Sequence, residues 1–457
     1  GTRWVFKVKA DGRFKARLVV QGWAQRHGLD CGSTFAPVCR LESQRLLLAI
    51  ATAKNWPILA LDIQTAFLNG KLQETVFCKQ APGFEILDPT TGKPHVMKLK
   101  RAIYGLRQSP NVWNSTIDTK LRTLGFNPTV SDPCVYTKGS HGGYIMLTLF
   151  VDDILMTGPS INLLHQVQDL LKTSFSISEL GLVSLILGME VIRDEARGSL
   201  KLSQHKYVKS LLLKFGMESS NPVHTPGIPG QLTEDTPEDN FLEQSEKTRY
   251  QAMVGSLIFL AQSTRFDIAF SVSQVARHMS KPNIHHLAAV KRVFRYLKGK
   301  PDLPLIYSTS DKNLNLIGYC DASYGTSGIE GRLRSTTGTM FFLAGGPINF
   351  SSSLQRITAT STTEAELIAL SKCGKFGTYL FNLVKELGWS SMEPATIYSD
   401  SQGALPLSSN ANYSSSSKHL AIRFYNLKDM IRAGQLKINH VRSGHQLADI
   451  LTKFCSR

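Results

Sequence analysis

The chain has 457 residues, enough for about three domains, and 42% hydrophobic against 19% charged residues, a balance that supplies packed cores and excludes a disordered polyampholyte. Lys plus Arg number 52 against 35 Asp plus Glu, a net charge of +17, which points to a polyanionic partner, most simply nucleic acid; charge for solubility alone is the plainer alternative. Seven cysteines without a C-x-x-C spacing argue against a disulfide framework or zinc finger and for a reducing compartment, no signal peptide is recognisable, and no apolar run reaches the ~20 residues of a membrane helix.

The chain opens at Gly1 directly on a strand pattern and reads as a piece of something longer. Strands are expected at 3–9, 16–21, 57–63, 144–151 and 188–193, and helical spacing predicts helices at 41–54, 111–124 and 161–174. Residues 219–245 carry Pro222, Pro226, Pro229 and Pro237 among many acids. Such a composition buries little and predicts a linker. A helical stretch follows at 246–299. There Leu287, Val290, Phe294 and Leu297 form an apolar stripe flanked by Lys291, Arg292, Arg295 and Lys298. The last part returns to α/β, with strands near 314–321, 338–344 and 395–399 and helices near 363–387 and 419–433. Cations concentrate at 1–50 (nine against three acids), 251–300 (eight against one) and 401–457 (eight against two). Three basic blocks suggest several contacts along one extended polyanion, with ordinary solvated faces as the alternative.

Two acids interrupt the apolar run around 147–156, Asp152 and Asp153, in a pattern that predicts a hairpin. Burying adjacent carboxylates without a countercharge is costly, and a divalent cation removes that cost; turn chemistry at a hairpin tip is the alternative. Asp62 sits in a second apolar strand. Three carboxylates from two strand ends suit two Mg²⁺ ions, which stabilise both attacking and leaving oxygens in phosphoryl transfer.

The segments FKARLVVQG (14–22), TFAPVCRLESQRLLLAIA (34–51), LDIQTAFLNG (61–70), YGLRQSP (104–110), FVDDILMTG (150–158), LGMEV (187–191), TRFDIAFSVSQ (264–274) and RYLKGK (295–300) occur in this order. Together they closely resemble the reverse transcriptase of copia-type LTR retrotransposons, over essentially the whole chain. The resemblance implies that Asp62, Asp152 and Asp153 are the metal-binding triad. Phe67 would be the steric gate that rejects a 2′-hydroxyl by clash. Gln108 would contact the incoming nucleotide, with Pro110 shaping its loop. Arg17, with Lys15, would hold the triphosphate, for which a guanidinium fork is well matched. Leu187, Gly188 and Met189 resemble the turn that grips the primer strand, and the helix bearing Lys291, Arg292, Arg295 and Lys298 would track the duplex backbone.

The C-terminal part holds a second set of acids. Asp321 and Asp400 end strand patterns, Glu364 and Glu366 open a helix, and Asp449 follows His445 by four residues. Such a set suits a second two-metal site, for hydrolysis; singly, each acid has a structural alternative, such as Asp400 and Ser401 capping the next helix. The order Asp, Glu, Asp, Asp resembles ribonuclease H, which implies Asp321, Glu366, Asp400 and Asp449 as metal ligands and His445 as an aid to product release. Glu366 is chosen over Glu364 because the family's catalytic Glu directly precedes the apolar helix run. This half departs from the family in Asp321-Ala-Ser-Tyr324 and Asn349-Phe350-Ser351-Ser352, where tryptophans are usual. It departs further in Gly374 and Gly377 within a helix, each costing ~1 kcal/mol relative to Ala, in Pro406, and in the run Tyr413–Ser417. These departures suggest an eroded scaffold or a divergent lineage.

The fold implied is α/β (α+β): right-hand polymerase fingers and palm at 1–218, incomplete at the N-terminus, the Pro-rich linker at 219–245, a helical thumb or connection at 246–310, and a ribonuclease H-like α/β domain at 311–457. The function implied is RNA- and DNA-directed DNA polymerisation with hybrid-specific ribonuclease. It would use two Mg²⁺ per active site, Mn²⁺ being able to substitute. Its partners would be an RNA template, a DNA primer, the RNA–DNA hybrid and dNTPs, with other segments of the parent polyprotein and no membrane. The implied location is a cytoplasmic virus-like particle, the nucleus or both, and not the secretory route. A decayed, inactive fragment that only binds nucleic acid is the second reading. A transposase or integrase is the third, in which the double-Asp hairpin has no role.

Overall fold

A computed structural model describes residues 1–8, 12–139, 143–232, 241–310, 314–329, 332–389, 393–401 and 418–454. The chain divides into two compact units, Gly1–Ser43 with Trp56–Val183, and Gln44–Asn55 with Ser184–Arg457. Each mixes helices and strands, the α/β class expected.

The first unit opens with the antiparallel hairpin of β1 (Thr2–Val8) and β2 (Phe14–Val20), in which Val5 faces Arg17 and Lys7 faces Lys15. Helix α1 (Leu41–Ala53) starts in this unit and continues into the residues of the other. Then come β3 (Ile58–Ile63), β4 (Phe77–Lys79), β5 (Val96–Lys98), α2 (Ser109–Thr123), β6 (Asn127–Pro128), β7 (Val135–Lys138), β8 (Ile145–Phe150), β9 (Asp153–Thr157), α3 (Ile161–Lys172) and β10 (Ile177–Leu182). Six strands form one antiparallel sheet in the order β10-β3-β9-β8-β7-β6. Ile58–Leu61 and Ile145–Leu149 are buried without a break. Unbroken apolar runs of this kind mark strands covered on both faces. Pro110 sits in the first turn of α2, where its missing N–H costs nothing.

In the second unit β11 (Leu185–Ile186), β12 (Met189–Asp194) and β13 (Ser199–Ser203) are followed by α4 (His205–Lys214), α5 (Gln244–Ser263), α6 (Ala269–Ala276) and α7 (Ile284–Gly299). Strand β14 (Leu305–Ser308) then returns to pair with β13. Part of the linker expected at 219–245, residues 233–240, lies outside the described residues. Its described part holds no helix or strand before Gln244.

A five-stranded sheet completes this unit. It comprises β15 (Ile317–Ile329), β16 (Arg332–Leu343), β17 (Gly346–Leu354), β18 (Ala395–Ser399) and β19 (Leu436–His440), with helices α8 (Thr362–Glu386) and α9 (Lys418–Arg432). The order is β17-β16-β15-β18-β19, antiparallel through β15 and parallel beyond it. Strand β17 begins Gly-Pro and carries three serines before Leu354, so its sequence does not look like a strand, yet Gly346–Phe350 is buried. Helix α8 runs through Gly374 and Gly377 without a break. A Cβ on Gly374 would lie 2.5 Å from Leu427 Cδ2, and one on Gly377 would lie 3.0 Å from Leu436 Cδ2 and 3.2 Å from Phe341. This corrects the reading of the two glycines as erosion: they let α8 approach α9, β19 and β16 so closely that a Cβ would push on the Leu427, Leu436 and Phe341 side chains. Pro406 and Tyr413–Ser417 lie outside the described residues.

Candidate active sites

In the first unit β3 sets Asp62 directly opposite Asp153 of β9, with Ser178 of β10 on its other side. The turn between β8 and β9 contains Val151 and Asp152. Val151 has φ +57°, a left-handed conformation that β-branched residues rarely adopt. Two bonds hold it there: Trp113 Nε1 donates to the Val151 carbonyl at 2.6 Å, and the Ile63 N–H to the Asp152 carbonyl at 2.9 Å. An indole from α2 and the main chain of β3 thus fix the tip that presents Asp152 and Asp153 at the end of the strand carrying Asp62. Burial, then the charges of Asp152 and Asp62, push the Asp153 carboxyl up to about 6. Burial also raises Asp152, as does Asp62, while Arg17 and Lys15 pull it back. Carboxyls raised in this way mark a site short of positive charge.

Arg17 and Lys15 project from β2. The Arg17 guanidinium lies over the Tyr104 ring, 5.1 Å from its centre, and Tyr104 meets Phe67 edge-on at 5.1 Å. Arg17, Tyr104 and Phe67 therefore form one contiguous cluster. Phe67 sits in a 3₁₀ turn, Ala66–Asn69, entered through Thr65 at φ +51°. Sequence reasoning missed Tyr104; its signal is an aromatic residue before Gly105, whose φ is +96° and whose Cβ, if present, would lie 2.0 Å from the Val20 carbonyl. That approach lets Val20 N–H donate to the Tyr104 carbonyl at 2.8 Å. Gln108 stands at the entry to α2. It is buried, its Nε2 donates to the Asp30 carbonyl at 3.0 Å, and its Oε1 accepts from Gln25 Nε2 at 3.0 Å. Each amide atom makes one such bond, which ties residues 25–30 to the start of α2.

The second unit places Leu187 and Gly188, at φ +46° and +78°, as the two central residues of the hairpin turn between β11 and β12. Two successive positive φ values match the type I′ turn that twists with its strands. Met189 is buried, a core residue. On α7 the apolar stripe is buried as expected at Val290, Phe294 and Leu297. Its cations also make bonds within the chain. Arg292 donates to Thr225 Oγ1 at 2.8 Å, Arg295 Nε to the Asn221 carbonyl at 2.7 Å, and Lys298 to the Ser220 carbonyl at 2.6 Å. Three of the four thus hold the Pro-rich segment 220–225, and Lys291 is exposed. The basic block at 251–300 is also depleted by Arg265, buried in a two-bond pair with Asp267 at 2.8 and 2.9 Å.

The second set of acids converges through strand register. Parallel pairing puts Tyr319 of β15 opposite Tyr398 of β18, so Asp321, still paired to β16, and Asp400, just past the end of β18, each two residues on, lie at the same end of this strand pair. Helix α8 adds Glu366, whose Oε1 accepts the Ala322 N–H at 3.3 Å. Carboxylate oxygens of Asp321, Glu366 and Asp400 lie within 4.8 Å of one another, the one group of three metal-ligating side chains so placed among the described residues. Burial, then the charges of Asp321 and Asp400, push Glu366 up to about 8; burial also raises Asp321. Glu366 Oε2 is buried without a protein partner. Hard oxygen donors with one orphaned atom fit a divalent cation such as Mg²⁺. Glu364 is turned elsewhere: its Oε2 accepts from the N–H and hydroxyl of Thr360, both at 2.6 Å. Asp449 stands outside the trio and pairs with Lys453 at 2.9 Å, and Lys453 reaches Asp321 at 3.7 Å. Thr452 Oγ1 donates to Asp321 Oδ2. Sequence reasoning missed Thr452 and Lys453, although a lysine four residues after an acid is a readable signal. His445 is exposed.

Residues 1–229 match the family model described as reverse transcriptase (RNA-dependent DNA polymerase). The chain belongs to the reverse transcriptase family. Over its full length it is 37% identical to the Retrovirus-related Pol polyprotein from transposon TNT 1-94 of Nicotiana tabacum, covering 34% of that protein. It is 36% identical to the corresponding polyprotein from transposon RE1 of Arabidopsis thaliana, covering 31% of it. A match of 32% identity with the Putative transposon Ty5-1 protein of Saccharomyces cerevisiae takes in 68% of this chain and 98% of that one. These relatives agree with the copia-type resemblance of the motifs. The chain spans about a third of the length of the Pol polyproteins it matches. Solved structures similar to it include LC11-RNase H1 (20% identity, 30% of this chain and 91% of that one, TM-score 0.22) and a foamy viral protease-reverse transcriptase in complex with dsDNA (13%, 96% and 75%, 0.23). Among the described residues of this reverse transcriptase-family chain, no helix is long and apolar enough to cross a membrane.

Proposed function

We propose that this chain is an RNA- and DNA-directed DNA polymerase with a C-terminal RNA–DNA hybrid ribonuclease. The observation that carries the polymerase is the register that sets Asp62 opposite Asp153, with Asp152 at the same tip. In this reading the first unit supplies fingers and palm, and the sheet of β15–β19 is the ribonuclease H-like domain. Asp62, Asp152 and Asp153 hold Mg²⁺ at one site; Asp321, Glu366 and Asp400 hold it at the other, with Asp449 beside them. Bound there, Mg²⁺ lowers the pKa of the attacking hydroxyl or water and neutralises charge developing at phosphorus. The chain's own side chains do the rest. Arg17 and Lys15 receive the triphosphate oxygens of the dNTP. Phe67, braced against Tyr104, fills the volume a 2′-hydroxyl needs. The partners are template RNA, primer DNA and their hybrid, in an intracellular particle built with other segments of the parent polyprotein.

Primer extension on a 5′-labelled RNA template tests both activities in one lane. Extension lost in Asp152→Asn, with template shortening lost in Asp400→Asn, is the expected pattern. Binding of the template-primer without extension in the unaltered chain would refute the polymerase and leave a nucleic-acid binder.

A further inference from the structure

Asp321 belongs to two groups at once. It is one of the three convergent carboxylates with Glu366 and Asp400. It is also one end of a charge triad in which the Lys453 ammonium stands 2.9 Å from Asp449 Oδ1 and 3.7 Å from Asp321 Oδ2. The same Oδ2 accepts the Thr452 hydroxyl. Asp449 is a ligand expected for this site, yet its carboxylate meets a cation supplied by the chain itself. Lys453 side chain is half exposed, and a lysine is a compact charge on a flexible four-carbon stem. It can therefore enter or leave the space between the two acids without any change in the fold.

We propose that the Lys453 ammonium occupies the place of a second divalent cation between Asp321 and Asp449. The inference rests on the reading of this cluster as a metal-dependent nuclease. One ion binds at Asp321, Glu366 and Asp400 without hindrance. A second binds only by displacing the ammonium, so its affinity is lowered by the worth of two screened, partly exposed ion pairs, about 5- to 10-fold. Lys453 is thus a positioning residue: it sets how many metal ions the cluster holds at a given concentration, and it keeps Asp449 oriented while the second ion is absent.

The test is a Mn²⁺ titration of the full chain, with bound ions counted by electron paramagnetic resonance. Ions lost in Asp321→Asn, the acid shared by both places, are those of this cluster. Lys453→Met should tighten the weaker of them about 5- to 10-fold and leave the tighter unchanged. Lys453→Arg, which keeps the charge, should titrate like the unaltered chain, and Lys453→Gln serves as a second neutral variant if the methionine form does not fold. A second constant unchanged or weakened in a folded neutral variant overturns the proposal alone. Equal Mn²⁺ counts in Asp321→Asn and the unaltered chain overturn it together with the nuclease reading.

Discussion

Replacing Glu366 by Gln should flatten the pH dependence of stability in the absence of metal. The Glu366 carboxyl is raised from 4.5 to about 8, first by burial and then by Asp321 and Asp400. At ~1.4 kcal/mol per pKa unit the shift is worth ~5 kcal/mol as a ceiling. Water reaching a cluster that is open to its substrate lowers this to ~2 kcal/mol. The folded chain keeps a proton on Glu366 that the unfolded chain has released, so this contribution is whole below about pH 4.5 and is lost as pH rises through about 8. Gln carries no such proton and can keep the acceptor that takes the Ala322 N–H. In EDTA, urea unfolding of the unaltered chain should lose ~2 kcal/mol more between pH 5 and 9 than Glu366→Gln does. Mg²⁺ should shrink the difference, because a bound cation takes over the work of the proton. Parallel stability curves for the two proteins in EDTA would refute the reasoning, since they would mean that Glu366 ionises at no cost in the folded chain.

Gly374→Ala should destabilise the protein by about 1–3 kcal/mol, even though Ala gains ~1 kcal/mol in helix propensity, because the new Cβ would lie 2.5 Å from Leu427; a higher melting temperature would restore the view of this glycine as erosion. Neutralising Arg295 and Lys298 together should speed proteolysis within 219–232, while the salt slope of template binding stays put; a slope that falls by about one per cation removed would return these residues to the duplex. Phe67→Ala should raise incorporation of ribonucleotides relative to dNTPs in a single-nucleotide extension assay, and unchanged discrimination would remove Phe67 from the sugar site.

The carboxylates were legible in the sequence because an acid at the end of an apolar strand is costly anywhere except where a cation or proton is meant to meet it. That reasoning needs only Asp62, Asp152, Asp321 and Asp400 in their local context, and strand register then brings the partners together. The cations were not legible, because a count of Lys and Arg carries no information about what each side chain finds. Arg45 contributes to the N-terminal basic block, yet it is buried in α1 among the main-chain carbonyls of Gln262, Ser263 and Ile348. Arg265 is neutralised by Asp267, and Arg292, Arg295 and Lys298 hold a strap. Lys453 lies against the very acids expected to be metal ligands. The glycines fail in the same way: Gly374 is poor for an isolated helix and suited to the close neighbour at Leu427. In each case the property read from sequence is real, and a partner distant in sequence decides what it does. The count of 52 Lys plus Arg is therefore an upper bound on the cations that face a polyanion. The cations to credit first are those that act on the carboxylates without a committed acid of their own, and among the residues singled out here Arg17, which eases Asp152 from its place over Tyr104, has that character.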